Sequence, residues 1–135
     1  MHDFQHVSLD EMQKALGLAE DAPHDRANLF AALTRINALY MIARAGSGHI
    51  GTTFSSVEVV TWLHLYELRS EQGPHGALDV YFSSKGHDVP AFYATMLGLG
   101  RLPFHLIHKL RALGGLPGHP DISTPHVEMN TGSLG

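Results

Sequence analysis

Residues 114–135 read Gly-Gly-Leu-Pro-Gly-His-Pro-Asp-Ile-Ser-Thr-Pro-His-Val-Glu-Met-Asn-Thr-Gly-Ser-Leu-Gly. Glycine loses the most backbone entropy in a helix or strand, and proline lacks the N–H that such elements need. The density of these two residues therefore predicts a loop, and loops on a rigid scaffold are common sites of binding and catalysis. His119 stands between Gly118 and Pro120, and residues 131–135 are small enough for their N–H groups to face a phosphate.

The composition is that of a globular protein with one domain. The chain has 135 residues, a net charge of −4 and no cluster of lysine and arginine, which argues against a nucleic-acid surface. The absence of cysteine excludes disulfides and thiol nucleophiles and fits a reducing compartment. We see no signal peptide and no run of about 20 apolar residues for a membrane span. We expect a cytoplasmic protein that binds neither nucleic acid nor membrane.

The N-terminal part, residues 1–25, is predicted to be a helical arm and a connector. Ser8 and Glu11 have the spacing of a capping box, which predicts a helix over residues 9–16. Gly17 is expected to end that helix in the left-handed conformation. The main domain would follow over residues 26–135.

The next helix is expected to be capped by Asp25 and to run to about Arg44. Its predicted buried stripe consists of four residues at helical spacing: Leu29, Leu33, Ile36 and Tyr40. The glycine cluster of residues 45–51 then indicates a loop with His49 at its centre.

Residues 55–99 read as helix, strand, turn and helix. Ser55 and Glu58 form a second capping-box pattern, which predicts a helix to about Arg69, and residues 78–82 have strand composition. A small-residue turn follows, and Asp88 would cap a helix to about Leu99. A strand, a turn and a helix N-terminus in this order favour an anion-binding site.

Two more elements are predicted after residue 100. Pro103 would begin a helix that ends at Gly114, and residues 127–129 have the composition of a short strand. With five helical segments against one clear strand, helices should far outnumber strands.

The chain contains eleven histidines, which raises the question of metal binding. The only pair at helical ligand spacing is His105 and His108, and no nearby carboxylate completes a site. Solvated histidines on a helix face are the favoured interpretation, and a histidine-based metal-binding domain remains an alternative.

Three histidines stand apart, because each follows a glycine at the end of a predicted element. They are His49, His87 and His119. An imidazole can donate a hydrogen bond from one nitrogen and accept one at the other, which suits a site for an anionic ligand.

The surrounding motifs resemble those of transketolases. Residues 46–51 resemble the family's Ser-Gly-His-Pro-Gly loop. Residues 82–93 resemble Leu-Ser-Lys-Gly-His followed by Ala-Pro-Ala-Leu-Tyr. Residues 118–135 resemble Gly-His-Pro…Thr-Pro-Gly-Val-Glu…Thr-Gly-Ser-Leu-Gly. The resemblance covers roughly residues 26–135, with the motifs in family order.

The resemblance implies an α/β fold, part of a doubly wound parallel-sheet domain that binds thiamine diphosphate and is helix-rich in this portion. The implied activity is transfer of a two-carbon ketol unit between sugar phosphates. Mg²⁺ or Ca²⁺ would accompany the cofactor, with ligands beyond residue 135. Further domains or a second subunit would complete the site, in a homodimer or a split-subunit assembly. A non-catalytic partner subunit of the same fold is the alternative.

The resemblance also implies residue roles. His87 would contact the cofactor diphosphate, and the backbone of Gly132, Ser133 and Leu134 would line the site near the aminopyrimidine. His49 and His119 would be catalytic and substrate-binding, donating hydrogen bonds to the ketose as its carbon–carbon bond breaks.

The sequence departs from the family pattern at four positions on the loops. Ile50 replaces a proline, Thr52 and Thr53 replace a small pair, and His126 replaces a glycine. The first three lie beside His49, so we expect them to reshape the substrate side and leave the diphosphate contacts intact.

Overall fold

The described chain is helical. The computed structural model describes residues 3–69 and 79–132. Its helices are α1 (Leu9–Leu16), α2 (Pro23–Ala45), α3 (Ile50–Trp62) with a π-helical continuation (Leu63–Glu67), α4 (Val89–Gly98) and a 3-10 helix (Phe104–His108). Within those residues there is no strand, and Leu110 and Leu116 form an isolated parallel bridge. The predicted excess of helix over strand is confirmed.

The core is built around α4. All ten residues of this helix are buried, and it packs against α1, α2, α3 and the 3-10 helix. A helix that is apolar on every side belongs inside a protein, and this one places Tyr93 and Leu97 out of contact with solvent. In the described part of the chain, no helix is long and apolar enough to cross a membrane.

The N-terminal helix forms as the capping-box pattern predicts. The Glu11 N–H donates to Ser8 Oγ over 3.2 Å, and the Ser8 N–H donates to Glu11 Oε2 over 2.9 Å. The predicted left-handed end at Gly17 is wrong, because its φ is −83° and the helix closes in the right-handed conformation. The left-handed residue of this turn is Ala19, with a φ of 52°.

A buried amide fixes the arm to the domain. The Val7 N–H donates to Asn37 Oδ1 over 2.7 Å, and Asn37 Nδ2 donates to the Val7 carbonyl over 3.1 Å. Gln13 Nε2 also donates to the Gly98 carbonyl, at 2.8 Å. Asn37 is fully buried on α2, and the arm supplies the hydrogen-bond partners of both its oxygen and its nitrogen.

The start and the buried face of α2 differ from the predictions. The helix begins at Pro23 with no side-chain cap, so Asp25 lies in its first turn, where proline at the start costs no hydrogen bond. Of the predicted stripe, Tyr40 is buried and Leu33 half-buried, whereas Leu29 and Ile36 are 36% and 46% exposed. The buried residues of the helix are Ala27, Phe30, Ala31, Thr34, Asn37, Ala38, Tyr40, Met41 and Ile42. Apolar residues occur on more than one face, so periodicity alone predicts the buried face only in part.

The predicted capping box at Ser55 is also wrong, because α3 already begins at Ile50. Ser55 Oγ donates to the Thr52 carbonyl over 3.2 Å, and Ser56 Oγ donates to the Thr53 carbonyl over 3.1 Å. Serine hydroxyls can bond to the preceding helical turn as readily as they cap a helix, and here they do the former.

The strand predicted over residues 78–82 is not formed in its described part, residues 79–82, and position 78 lies outside the described residues. Tyr81 turns inward and stacks on Phe92 with ring centroids 5.7 Å apart, whereas Val80 and Phe82 are 56% and 51% exposed. In the described chain no backbone hydrogen bond of residues 80–82 is found. This alternation is that of a strand with one covered face and no neighbour.

Two later predictions are corrected. The helix expected from Pro103 to Gly114 is only the short 3-10 helix that ends at His108, and the chain then turns through Arg111 in the left-handed region. Residues 127–129 form no strand. The rest of residues 114–132 is loop, as its glycine and proline content predicts.

Candidate functional site

The three Gly-His loops meet at one end of the bundle. Their sequence positions lie at the start of α3, at the start of α4 and in the C-terminal loop. A contact between rings joins the first loop to the second, and a close approach of backbones joins the second to the third.

The first two loops meet through their imidazoles. Gly46 ends α2 in the left-handed conformation, with a φ of 69°, and the chain reaches His49, which immediately precedes α3. The His49 ring lies on the His87 ring with centroids 4.6 Å apart and an interplanar angle of 57°. His49 is exposed and His87 is half-buried, so the pair forms an edge that solvent and a ligand can reach.

The second and third loops touch through their backbones. A Cβ placed on Gly86 would lie 2.7 Å from Gly132 Cα and 2.7 Å from the Thr131 carbonyl oxygen, and the φ of Gly86 is 64°. No side chain larger than hydrogen fits at that distance. The absence of a side chain at Gly86 therefore allows the loop of His87 to lie against the loop of Gly132.

The third histidine lies on the same contact. A Cβ placed on Gly132 would lie 3.3 Å from His119 Cδ2, so the exposed His119 ring rests on this glycine. Tyr93 of α4 holds the loop, because its hydroxyl donates to the Pro117 carbonyl over 2.9 Å. Burial raises the pKa of Tyr93, which keeps this hydroxyl protonated as a donor.

The start of α4 differs from the prediction in one detail. Asp88 occupies the N-cap position, but its side chain makes no capping hydrogen bond. Its Oδ2 accepts from Ser83 Oγ at 2.7 Å, which closes the turn that presents His87. This carboxylate is therefore engaged inside the loop, and the first N–H groups of α4 bond to backbone instead. The Val89 N–H donates to the Gly86 carbonyl over 3.2 Å, and the Ala91 N–H donates to the Asp88 carbonyl over 3.1 Å.

Buried hydroxyls without partners mark the walls of this region. Thr131 Oγ1, which precedes Gly132, is buried and has no hydrogen-bond partner within residues 3–69 and 79–132. The same holds for Thr52 and Thr53 Oγ1 in the first turn of α3, after His49. Buried hydroxyls are normally satisfied, so these three groups are candidates for polar partners, as is Thr34 Oγ1 of α2, the fourth such group in the described residues.

The structure thus brings His49, His87, His119 and Gly132 into one connected set. Ser133 and Leu134, the other two predicted cofactor contacts, lie outside the described residues. His126, the fourth departure from the family pattern, has a φ of 68°, a conformation that normally favours glycine.

Of the histidine pair considered for metal binding, His108 is engaged in other contacts and His105 is exposed. Tyr40 Oη and His108 Nδ1 form a 2.7 Å hydrogen bond, and the His6 ring lies 5.3 Å from that of His108. Burial is the main cause that lowers the pKa of His108. In the described ranges, no group of three or more histidine, aspartate or glutamate side chains could hold a metal ion.

Two features of this region were not predicted from the sequence. Residues 131–135 were expected to offer their N–H groups, whereas the structure shows that the Thr131 hydroxyl is buried and unsatisfied. Arg111 lies against Gly118, since a Cβ on that glycine would be 2.8 Å from Arg111 Nε. The only sequence signal for Arg111 is a cation shortly before the Gly-Gly pair that opens the loop.

Comparison with known proteins identifies the class of domain. Residues 26–135 match the family described as "Transketolase, thiamine diphosphate binding domain". The chain is therefore the helix-rich part of an α/β domain that binds thiamine diphosphate. It belongs to the transketolase family, and the resemblance of its three motifs is confirmed.

Individual relatives include proteins named as transketolases and as transketolase subunits. A subunit of an apulose-4-phosphate transketolase from Phocaeicola vulgatus is 35% identical over 98 residues, which are 70% of this chain and 35% of that protein. A subunit of a 6-deoxy-6-sulfo-D-fructose transketolase from Clostridium sp. is 35% identical over 116 residues, 82% of this chain and 40% of that protein. The transketolase of Mus musculus is 33% identical over 106 residues, 75% of this chain and 17% of that protein. The chain thus spans well under half the length of each.

Proposed function

We propose that this chain forms part of the active site of a transketolase that transfers a two-carbon ketol unit between sugars. The observation that carries the proposal is the convergence of His49, His87 and His119 around the contact between Gly86 and Gly132. A chance scatter of histidines gives no reason for three separate loops to meet at one place.

The residues present fit thiamine diphosphate. The Gly86–Gly132 contact leaves a backbone wall without side chains, and Thr131 Oγ1 beside it is buried and unsatisfied. His87 stands just before α4, a ten-residue helix whose N-terminus favours an anion. We assign the diphosphate to His87 and the aminopyrimidine side to the backbone of Gly132, Ser133 and Leu134.

His49 and His119 are assigned to the substrate. Both are exposed, and each touches a residue assigned to the cofactor, His49 through the His87 ring and His119 through Gly132. Bound thiamine diphosphate supplies the carbanion chemistry that breaks and re-forms the carbon–carbon bond. The two imidazoles donate hydrogen bonds to the sugar hydroxyl and to the oxygen that gains negative charge. Donors already in place cost no reorganisation at that moment.

The substrate is proposed to be an anionic sugar. One relative is named for a sugar phosphate and another for a sulfo-sugar, so a tetrahedral anion at the far end of the sugar is common to both names. The chain shares 35% identity with each, and Ile50, Thr52 and Thr53 follow His49 in the first turn of α3. These three residues are proposed to tune which anionic sugar is accepted.

The assembly is proposed to be a homodimer or a split-subunit enzyme, because two of the relatives are named as subunits. Mg²⁺ or Ca²⁺ is proposed to bind through residues beyond 135. Residues 1–25 are proposed to be an arm on the domain of residues 26–135. A cytoplasmic location is proposed from the absence of cysteine.

The test is to purify the protein from its source with any chain that accompanies it and to measure two properties. Thiamine diphosphate should bind in the presence of Mg²⁺, and ketol transfer should be observed from a sugar-phosphate donor. His87→Ala should reduce cofactor binding. Cofactor binding without transfer would indicate a non-catalytic role, and absence of both would refute the proposal.

A further inference from the structure

A second cavity lies between the π-helical continuation of α3 and the buried helix α4. Its walls include the apolar and aromatic side chains of Tyr81, Phe92 and Met96 and the ionisable side chains of His64, His126 and Glu128. The loop histidines of the candidate active site are not among the described residues that line it. Its volume of about 90 Å³ is enough for several water molecules or for the ring of a small molecule.

The histidine of this cavity has one nitrogen without a partner. His64 belongs to the π-helical segment Leu63–Glu67, a rare geometry that is frequent at functional sites, and its side chain is 9% exposed. Its Nδ1 donates to the Val60 carbonyl over 2.8 Å, so Nε2 carries the lone pair and can only accept. Within residues 3–69 and 79–132, no hydrogen bond engages Nε2. A free acceptor on so buried a side chain indicates a donor that the described chain does not supply.

A flat aromatic wall stands beside this acceptor. The rings of Tyr81 and Phe92 are stacked, with centroids 5.7 Å apart and an interplanar angle of 10°. The His64 ring meets both edge-on, at 5.0 Å and 5.7 Å. Burial raises the pKa of Tyr81 to about 12, so the wall is uncharged at neutral pH. Such a wall suits a planar ring.

Another part of the lining is formed by a residue in an unfavourable conformation. His126 has a φ of 68° and stands where the family pattern has a glycine. The left-handed region costs a residue with a side chain free energy, and residues held in it are concentrated at functional sites. A glycine would remove this cost, but it would also remove the ring that lines the cavity.

The charges on the lining leave one carboxylate available. Asp79 is paired with Arg69 at 2.8 Å, and Arg101 has an interaction of its own. In the part of the chain that the structure describes, no hydrogen bond or ion pair engages the carboxylate of Glu128. The cavity thus offers two free acceptors, Glu128 and His64 Nε2, of which one is negatively charged.

We propose that this cavity is a second binding site, which takes a small planar aromatic cation with N–H donors. The ring of the ligand lies against Tyr81 and Phe92, one N–H donates to His64 Nε2, and the positive charge faces Glu128. The inference goes beyond the proposed function, because no residue assigned there to the cofactor or to the sugar lines the cavity.

The experiment titrates the chain, together with any partner chain that accompanies it, with benzamidine at pH 8, where His64 is neutral. The ¹⁵N signals of the His64 and His126 rings report binding. Benzoate, which has the same ring but accepts hydrogen bonds and is negatively charged, should bind at least about tenfold more weakly. Equal binding of the two probes, or no binding of benzamidine, would overturn the inference.

His64→Phe keeps an aromatic ring and removes the acceptor, so benzamidine affinity should fall by about tenfold or more. Glu128→Gln removes the charge and should weaken binding by about threefold or more. The matched control is Glu20→Gln, which removes the same charge at an exposed position outside the cavity and should leave the affinity unchanged. Equal losses for Glu128→Gln and Glu20→Gln would count against the site.

His126→Gly tests the cavity without loss of the buried histidine. The change relieves the unfavourable φ, so it should not lower the urea midpoint, and it removes one wall, so benzamidine affinity should fall several-fold. Unchanged affinity would contradict the proposal. Loss of benzamidine binding on addition of a partner chain would also overturn it, because protein would then cover the cavity. The titration needs neither thiamine diphosphate nor a sugar, so its outcome is separate from that of the proposed function.

Discussion

The imidazole of His49 lies on the imidazole of His87 with ring centroids 4.6 Å apart, although the two residues precede different helices. This contact joins a residue assigned to the substrate with one assigned to the cofactor diphosphate. The two rings can therefore act on one bound assembly without any rearrangement of α3 or α4. Replacing either ring changes the surroundings of the other.

Single replacements of the three loop histidines should impair different properties of the enzyme. His87→Ala should weaken thiamine diphosphate binding by roughly 1.5–3 kcal/mol, the range for a hydrogen bond to a charged group. His49→Ala and His119→Ala should leave cofactor affinity nearly intact and lower turnover by about a hundredfold, since each donates to developing charge. Calorimetry and steady-state kinetics separate the two effects.

The control for these variants is His105→Ala, an exposed position on the 3-10 helix. It should change neither cofactor affinity nor turnover. If all four variants behave alike, the Gly-His loops serve only as turns in the fold and the role assignments are wrong.

Gly86→Ala should separate the second loop from the third. The new methyl group would meet the backbone of Thr131 and Gly132 at 2.7 Å, and the φ of 64° adds a conformational cost of roughly 1–2 kcal/mol. The backbone clash should add about 1–3 kcal/mol, because neither loop can yield without moving the site. Urea denaturation measures the total, and thiamine diphosphate affinity should fall with it.

Gly46→Ala is the matched comparison. Its φ of 69° imposes the same conformational cost, but nothing lies within 4 Å of the added methyl group. The difference between the two variants therefore isolates the contact between the loops. Equal destabilisation would show that Gly86 serves only the turn.

Acidification should destabilise the protein partly through His64. Burial lowers the pKa of His64, and its Nδ1 donates to the Val60 carbonyl at 2.8 Å while Tyr81 and Phe92 pack on the ring. The unfolded chain therefore binds a proton at higher pH than the folded one. The contribution of neutral His64 to the free energy of unfolding is therefore fully present above the unfolded pKa of about 6.5. It is lost as the pH falls through that value toward the lower folded pKa.

The test of this prediction is the free energy of unfolding from pH 8 to pH 5. His64→Phe should make the curve flatter, whereas His105→Gln, at an exposed position, should leave it unchanged. His108, whose pKa is also lowered, continues to titrate in both variants, so the difference between curves is the relevant quantity. Parallel curves for wild type and His64→Phe would refute the role of His64.

Removing the buried amide that holds the arm should release it. Asn37→Leu leaves the N–H and the carbonyl of Val7 without partners, at a cost of about 1–3 kcal/mol. Trypsin should then cleave faster after Lys14, because the arm no longer stays on α2. Asn28→Leu, at an exposed position of the same helix, should do neither.

The sequence identifies the loops that meet better than it predicts the helices around them. The three Gly-His motifs and the final loop are identifiable by their residues, and the structure brings His49, His87, His119 and Gly132 together. The reason for the contact at Gly86 cannot be seen in the sequence, because it depends on which backbone from a distant segment approaches it.

The errors in the helices have a common physical origin. Ser55 can cap a helix or bond to the carbonyl one turn earlier, and Leu29 can face the core or the solvent. Local sequence permits both states in each case, and packing against the neighbouring elements decides between them. Residues 79–82, which form no strand, show the same limit, since a strand is defined by a neighbour as well as by its own residues.

The hydrogen bond from Tyr93 to Pro117 means that α4 links two of the proposed ligand contacts. The helix begins directly after His87 and Asp88, and its tyrosine holds the segment that leads to His119. The separation between the proposed diphosphate contact and the proposed substrate contact is therefore coupled to the packing of one fully buried helix. A change of side-chain volume at Met96 or Leu97, remote from any ligand, would alter that distance and so shift cofactor affinity and turnover together.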